Sequence, residues 1–260
     1  MRRLLIRPGA IGDFIVSLPA LESLRAGYTE VWTTSANAPL ARFADTAISL
    51  YGTGIDHPVP GAKVLERLAA FDSIVSWYGS NRPEFRSALR GLPVIFHAAL
   101  PPSGADGMHA VDFYQRQVGA PLGAIPRLPV ERRDPTFLAI HPFSGSARKN
   151  WPLGRFRELA EHSPLPVQWI AGPGQNLPGA VHFDNLWDLA RWMAGAGLYI
   201  GNDSGITHLA AAAGVPVLAL FGPTDPEVWG PRGVDVRVLR APDGSMESLS
   251  TDQVLPYLRR

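Results

Sequence analysis

The stretch from residue 200 to residue 225, IGNDSGITHLAAAAGVPVLALFGPTD, carries the strongest indication of the fold class of this chain. An apolar, strand-like run ends at Ile200 and is followed by a turn of Gly, Asn, Asp and Ser residues. An Ala-rich helix then begins, ends at Gly214, and leads through Pro216 into a second buried strand. A strand, a tight polar turn, a helix and a strand form one βαβ unit, and this pattern predicts a parallel sheet.

The turn of this βαβ unit is the first candidate site. The unbonded N–H groups and the positive dipole end of such a helix point outward at the carboxyl edge of the sheet, where an anion binds readily. The residues expected around a bound phosphate are Asp203, Ser204, Gly205, Thr207 and His208. A capped helix in an ordinary α/β domain is the alternative interpretation, because Asn, Asp and Ser are the usual N-cap residues.

The composition describes a globular protein. The chain has 260 residues, of which 46% are hydrophobic and 18% are charged, and these values exclude a disordered chain. The net charge of +1 gives no support to a general nucleic-acid binder. The chain contains no cysteine, which excludes disulfides, zinc thiolates and thiol catalysis. It has neither a signal-peptide pattern nor a run of about 18 apolar residues, so we expect a cytoplasmic location.

Strand-like and helical segments alternate along the chain. Expected strands cover residues 4–7, 31–34, 73–77, 93–96, 137–141, 167–171, 198–200 and 234–239, and one more follows Pro216. Expected helices cover residues 14–25, 63–70, 84–89, 110–118, 153–162, 186–196 and 251–259. A proline-rich stretch with weak periodicity, residues 119–135, is the best linker candidate. We therefore expect two Rossmann-like α/β lobes, residues 1–133 and 134–260, whose parallel sheets face each other across a cleft.

The loop after the first strand, RPGAIGD at residues 7–13, is the second candidate site. Gly9 and Gly12 let the backbone approach a ligand closely, and Asp13 places a carboxylate at the start of the next helix. Arg7 stands where the G-x-G-x-x-G fingerprint has its first glycine, and no acidic residue follows the second strand, so an NAD-dependent dehydrogenase is disfavoured. The alternative role for Asp13 is a plain capping carboxylate.

The third candidate site is the loop HPFSGSARKNWP at residues 141–152, which follows the first strand of the second half. Its hydroxyls, its glycine and two adjacent cations suit a pyrophosphate, with Lys149 acting as a point charge. A solvated basic turn is the alternative. Ser204 and His208 are four residues apart, but the serine lacks the G-x-S-x-G elbow of hydrolases, so nucleophilic catalysis is disfavoured.

The segments at residues 7–13, 141–152 and 201–210 are followed by FGPTDP at residues 221–226. This ordered set resembles glycosyltransferase family 9, in which the same blocks occur in the same order. This family contains the ADP-heptose:lipopolysaccharide heptosyltransferases and their relatives. The resemblance covers residues 4–25, 137–160 and 198–233. It implies a GT-B architecture and an inverting transfer of a sugar, by resemblance a heptose, from a nucleotide-diphospho-sugar, by resemblance ADP-linked. The implied acceptor is a hydroxyl of a glycan or lipopolysaccharide-type molecule.

The resemblance also implies roles for individual residues. Asp13 would be the general base that deprotonates the acceptor hydroxyl, with Gly9 and Gly12 in the loop near the acceptor. The implied donor-binding residues are Ser144, Ser146 and Lys149 on the phosphates, Asp203 on the sugar hydroxyls, and Ser204, Gly205, Thr207 and His208 around the leaving diphosphate. An inverting displacement needs a base on one face and anion stabilisation on the other, which agrees with this set.

The chain departs from the family pattern after residue 171, where it reads GPGQN. Family members commonly carry a glutamate near the nucleotide ribose at this point, and Gln175 is the candidate for that role without the charge. The chain is also shorter than typical members, mostly in the first lobe. The alternative function is a non-catalytic descendant that binds a nucleotide or a glycan without turnover; the intact Asp13, Lys149 and Asp203 argue against it.

We expect neither a cofactor nor a metal. The turn at residues 202–204 contains one carboxylate and no D-x-D pair, while helix amides and Lys149 already supply positive potential. The expected partners are a nucleotide-diphospho-sugar donor and a glycan or glycolipid acceptor, and not a nucleic acid. A lipid-linked acceptor would bring this cytoplasmic protein to the inner membrane face as a peripheral protein.

Overall fold

The computed structural model describes residues 1–102 and 107–259, and the chain folds into two compact units. The first unit comprises Met1–Asp106, described up to residue 102, and Ala110–Ala124. The second comprises Gly107–His109 and Ile125–Arg260, described up to residue 259. The division predicted from the sequence, at residue 133, differs from these units in the assignment of residues 107–109 and 125–133.

The first unit is built on a five-stranded parallel sheet. Its strands are β1 (Arg2–Ile6), β2 (Tyr28–Thr33), β3 (Thr46–Ser49), β4 (Ser73–Ser76) and β5 (Val94–Phe96), and its helices are α1 (Ile11–Ser23), α2 (Ala62–Ala69), α3 (Pro83–Ala88) and α4 (Ala110–Gln117). The strand order is β3-β2-β1-β4-β5, with every neighbouring pair parallel. Leu4 and Ile6 of β1, Trp32 of β2 and Ile74 of β4 are buried in one core cluster.

The second unit contains a second five-stranded parallel sheet. Its strands are β6 (Phe137–His141), β7 (Val167–Trp169), β8 (Ala196–Asn202), β9 (Val217–Phe221) and β10 (Val236–Arg240). Its helices are α5 (Leu153–Glu161), α6 (Leu186–Met193), α7 (Gly205–Ala212), α8 (Pro226–Trp229) and α9 (Thr251–Val254). The strand order is β10-β9-β8-β6-β7, again with parallel pairs. Leu138 and Ile140 of β6 pack with Ile200 of β8 and Leu218 of β9 in the core.

Each sheet has one point at which the chain order reverses direction. In the first sheet this switch point lies between β1 and β4, and in the second it lies between β6 and β8. Ligands of open α/β sheets bind outside the carboxyl ends of the strands at such points. The loop after β1 and the loops after β6 and β8 therefore occupy the edges where a ligand is expected in each unit.

The predicted alternation of strands and helices is confirmed, and most differences concern the ends of elements. The structure begins α1 at Ile11, whereas the sequence pattern begins it at Phe14. The C-terminal helix α9 ends at Val254 and continues as a 3-10 turn, because Pro256 has no N–H to donate. Strand β3 and the short helix α8 were not predicted; β3 is short and only partly buried, so it lacks the alternation that identifies a strand.

Within the described ranges, no helix is both long enough and apolar enough to cross a membrane.

Candidate functional site

The loop after β1 in the first unit is supported by a buried arginine. Arg7 is 1% exposed and donates from Nη1 to the carbonyl oxygen of Pro8 (2.6 Å) and from Nη2 to that of Asp13 (3.0 Å). Its Nη2 also donates to the hydroxyl of Tyr114 on α4 (2.8 Å). Burial lowers the pKa of Arg7, an effect that the nearby Tyr114 and Asp13 partly offset. The guanidinium thus holds both ends of the residue 8–13 loop.

Asp13 lies in the first turn of α1 with a partly exposed side chain. Its Oδ2 accepts a hydrogen bond from the N–H of Ala10, the N-cap residue, over 3.3 Å. A Cβ at Gly9, where φ is +140°, would lie 3.3 Å from the Cβ of Asp13 and 3.1 Å from Nη1 of Arg7. Glycine therefore keeps the space beside the carboxylate open, while Gly12 continues the same helical turn.

In the second unit, Asn202 joins the two candidate loops at the end of β8. Its side chain is fully buried; Oδ1 accepts from the N–H of Trp151 (2.9 Å) and Nδ2 donates to the carbonyl oxygen of Pro142 (2.8 Å). Trp151 is itself a core residue that packs edge-on against Phe156. Asn202 thus closes the residue 142–151 loop into an arch whose ends are fixed.

The polar residues of this arch serve different purposes. The Ser144 hydroxyl contacts Oδ1 of Asn150 (2.7 Å) and the carbonyl oxygen of Ser146 (2.8 Å), so it shapes the arch internally. The N–H of Lys149 donates to the carbonyl oxygen of Ser146 in a 3-10 turn. The backbone position from which the Lys149 side chain extends is therefore fixed.

Lys149 and Asp203 bring the arch and the β8 turn together. Nζ of Lys149 lies 2.7 Å from Oδ2 of Asp203, with the lysine side chain 33% exposed and the aspartate 8% exposed. A cation and a carboxylate thus meet beside the first turn of α7, at the switch point between β6 and β8. Charge-assisted hydrogen bonds of this length are among the stronger ones in proteins.

The start of α7 is capped by Ser204, whose Oγ accepts from the N–H of Thr207. Thr207 is fully buried, and its hydroxyl donates to the carbonyl oxygen of Asn202. The hydroxyl of Tyr199 lies 3.1 Å from the same oxygen of Thr207. Thr207 therefore shapes the turn from inside. The N–H groups of Gly205 and Ile206 stand at the first two helical positions, where no intrahelical acceptor exists.

His208 follows on the same turn and is 6% exposed. Burial lowers the pKa of His208 to about 4; the negative charge of Asp203 opposes this effect, and the charges of His109 and Lys149 add to it. The imidazole is therefore neutral at neutral pH. It can act toward an anion as a hydrogen-bond donor, and not as a cation.

Gln175 follows β7, and β7 is the neighbour of β6 in the second sheet. Its Oε1 accepts from the N–H of Gly172 (2.7 Å) and contacts Nε2 of the buried His141 at 3.2 Å. The second unit therefore carries its predicted donor-binding residues on three neighbouring strand ends, in the order β7, β6 and β8. Asp13, Gly9 and Gly12 belong to the first unit.

Two residues important to this geometry were not predicted as site residues. The sequence pattern placed Asn202 only in the turn after residue 201, and His141 only at the end of a strand and the start of the loop at residues 141–152, without a role for either side chain. Both are polar residues in the last position of a buried strand, and a buried polar side chain needs a hydrogen-bond partner. A polar residue at the end of a buried strand was the signal that could have identified both residues, although it does not show which groups they contact.

The sequence comparisons agree with this geometry. The C-terminal part of the chain, residues 176–258, matches the model of "Glycosyltransferase family 9 (heptosyltransferase)". Lipopolysaccharide heptosyltransferase 1 of Escherichia coli strain K12 is 38% identical over 74 residues, which cover 28% of this chain and 23% of that relative. The matched stretch thus spans about a quarter of the relative's length. The predicted resemblance to glycosyltransferase family 9 is confirmed.

Solved structures show the same fold over the whole chain. E. coli heptosyltransferase WaaC with ADP aligns with a TM-score of 0.71 at 18% identity, covering 99% of each chain. A family 9 glycosyl transferase from Veillonella parvula DSM 2008 aligns with a TM-score of 0.77 at 18% identity, covering 98% of this chain and 95% of the other. The predicted GT-B fold with two Rossmann-like lobes is confirmed.

Proposed function

We propose that this chain, which resembles glycosyltransferase family 9, transfers a sugar from a nucleotide-diphospho-sugar to a hydroxyl of a glycan or lipopolysaccharide-type acceptor. The observation that carries the proposal is the Lys149–Asp203 contact beside the first turn of α7, at the switch point of the second sheet. The names of the relatives favour a heptose as the sugar and ADP as its carrier. They do not favour the alternative of a non-catalytic descendant.

A diphosphate suits this edge of the sheet for electrostatic reasons. The outward N–H groups at Gly205 and Ile206 and the positive end of α7 attract an anion. Lys149 adds a cation on a flexible stem that is one third exposed, so it can reach a phosphate while it stays near Asp203. Neutral His208 adds a further N–H donor. These groups stabilise the charge that develops on a leaving diphosphate.

The order of the strands suggests how the donor lies in this unit. Gln175 follows β7, the arch follows β6, and Asp203 follows β8, and adjacent strands are about 4.8 Å apart. We propose that the nucleoside lies toward Gln175, the diphosphate lies between Ser146, Lys149 and the α7 N-terminus, and the sugar hydroxyls contact Asp203. Ser144, Ser204 and Thr207 serve this site by fixing the arch and the turn.

We propose that Asp13 is the general base of an inverting displacement. Its carboxylate stands at the carboxyl edge of the first sheet, at that sheet's switch point, and it is partly exposed. Gly9 and Gly12 add no side chains to the loop around this carboxylate, which suits the approach of an acceptor hydroxyl. Attack by the deprotonated hydroxyl on the anomeric carbon, with departure of the diphosphate, inverts the configuration of that carbon.

We propose a cytoplasmic protein that works at the inner membrane face when its acceptor is lipid-linked. The relatives named for lipopolysaccharide synthesis support an acceptor of this kind.

The test is nucleotide binding by matched variants. ADP, UDP and GDP are titrated into the wild type, Lys149→Ala and Arg148→Ala by calorimetry. Lys149→Ala should bind ADP more weakly by about 1 to 3 kcal/mol, because a charged hydrogen bond to phosphate is lost. Arg148→Ala removes the adjacent, exposed cation and should leave the affinity nearly unchanged. Equal losses in both variants would mean that only the overall charge matters, and no loss in either would remove Lys149 from the site.

A further inference from the structure

His141 ends β6 and is almost completely enclosed. The residue is 3% exposed, and its ring meets that of Phe143 edge-on at 6.0 Å between centroids. Ring nitrogen Nε2 lies 3.2 Å from Oε1 of Gln175. Within the described residues, the other nitrogen, Nδ1, is buried without a hydrogen-bond partner. None of the roles assigned above to the arch explains a buried imidazole at this position.

The partner of His141 belongs to a tight turn. Residues 172–175 form a type II turn, in which the N–H of Gln175 donates to the carbonyl oxygen of Gly172 (3.1 Å) and Gly174 has φ +76°. The Gln175 side chain folds back over the turn, and its Oε1 accepts from the N–H of Gly172 (2.7 Å). Because a backbone N–H must donate to an acceptor, this contact identifies the oxygen end of the amide.

The orientation of this amide fixes the protonation of the imidazole. Oε1 can only accept, so Nε2 of His141 must carry the proton and Nδ1 must carry a lone pair. Burial keeps the ring neutral, since it lowers the pKa of His141 to about 4. One oxygen of Gln175 therefore accepts from two donors, one on β6 and one on the turn after β7.

The amide nitrogen of Gln175 is left for another partner. With Oε1 held by Gly172 and His141, the NH₂ group must point away from both. In residues 1–102 and 107–259 it makes no hydrogen bond to a protein acceptor. Gln175 thus presents two N–H donors at the carboxyl edge of the sheet, beside the arch.

We infer that His141 is a positioning residue that, through Gln175, sets the recognition of the nucleoside part of the donor. The locked amide selects a nucleoside diphosphate whose ribose or base presents a hydrogen-bond acceptor to the Gln175 N–H groups. This inference rests on the proposed function, because it assumes that the diphosphate binds between the arch and α7. His141 itself does not touch the nucleotide.

The test compares three variants in the full chain. His141→Gln keeps an N–H donor at a similar reach, His141→Phe keeps a ring without a donor, and His162→Gln alters an exposed histidine at the end of α5. We expect His141→Phe to weaken ADP binding about tenfold, the loss of one hydrogen bond, with His141→Gln and His162→Gln near the wild type. In turnover, His141→Phe should raise KM for the donor and leave kcat nearly unchanged.

Nitrogen NMR of the histidine rings tests the hydrogen bond from Nε2 of His141 to Oε1 of Gln175, here called the His141–Gln175 lock, without any nucleotide. At neutral pH the wild type should show His141 protonated at Nε2 and unprotonated at Nδ1. A proton on Nδ1, or folded His141→Phe with wild-type ADP affinity, overturns the inference. If ADP, UDP and GDP all fail to bind the wild type, the proposed function fails and the nucleoside role of His141 fails with it. The NMR spectrum still decides separately whether the His141–Gln175 lock exists.

Discussion

Replacing Asn202 by alanine should destabilise the second unit strongly. The fully buried side chain satisfies the N–H of Trp151 at 2.9 Å and the carbonyl oxygen of Pro142 at 2.8 Å. Alanine leaves both backbone groups buried without a partner. Each such group costs about 1 to 3 kcal/mol, so the expected loss in the free energy of unfolding is about 2 to 6 kcal/mol. ADP affinity should fall as well, because the arch that carries Lys149 loses its closure.

Urea denaturation followed by fluorescence and circular dichroism measures this loss. Asn176→Ala is the matched control, since Asn176 is an exposed asparagine in the same unit and its replacement should change stability by less than about 0.5 kcal/mol. Asn202→Asp keeps an acceptor for Trp151 but sets a carboxylate against the Pro142 carbonyl oxygen, so it should also destabilise. An Asn202→Ala variant as stable as Asn176→Ala would refute the reasoning that this side chain closes the arch.

Three further predictions concern catalysis, metal dependence and pH. Asp13→Asn should lower turnover by about 10² to 10⁴ with nucleotide affinity unchanged and stability within about 1 kcal/mol, because the amide can still cap α1 but cannot accept a proton; a variant that loses stability but keeps its rate would show that Asp13 is only a cap. Turnover should survive EDTA, since α7 and Lys149 supply the positive potential; loss of activity that magnesium or manganese restores would contradict this. Stability should fall between pH 7 and pH 5, because unfolded histidine takes up a proton near its ordinary pKa of about 6.5 while buried His141, with a pKa of about 4, does not. In urea titrations at pH 7 and pH 5, His141→Gln should reduce the pH-dependent loss in the free energy of unfolding by about 1 to 2 kcal/mol. The same loss in the variant as in the wild type would show that His141 is accessible to protons.

The architecture of this protein can be predicted from its amino-acid pattern alone. Alternating apolar runs and amphipathic helices predict parallel sheets, and both units contain one. The capped turn before α7 could also be predicted directly, because the N-cap signal of α7 is local and needs only neighbouring residues such as Ser204 and Thr207. The short edge strand β3 could not be predicted, because its own apolar pattern is too short. Hydrogen bonding to β2 stabilises it instead.

Which polar residues act together depends on the packing of the strands. Lys149 and Asp203 are 54 residues apart, and Trp151 and Asn202 are 51 apart; the strand order that puts β6 next to β8 creates both contacts. The same order sets β6 beside β7 and lets His141 share the oxygen of Gln175. Local propensity acts over a few residues, whereas these contacts depend on which strands become neighbours, and that choice is made by burial of the whole core.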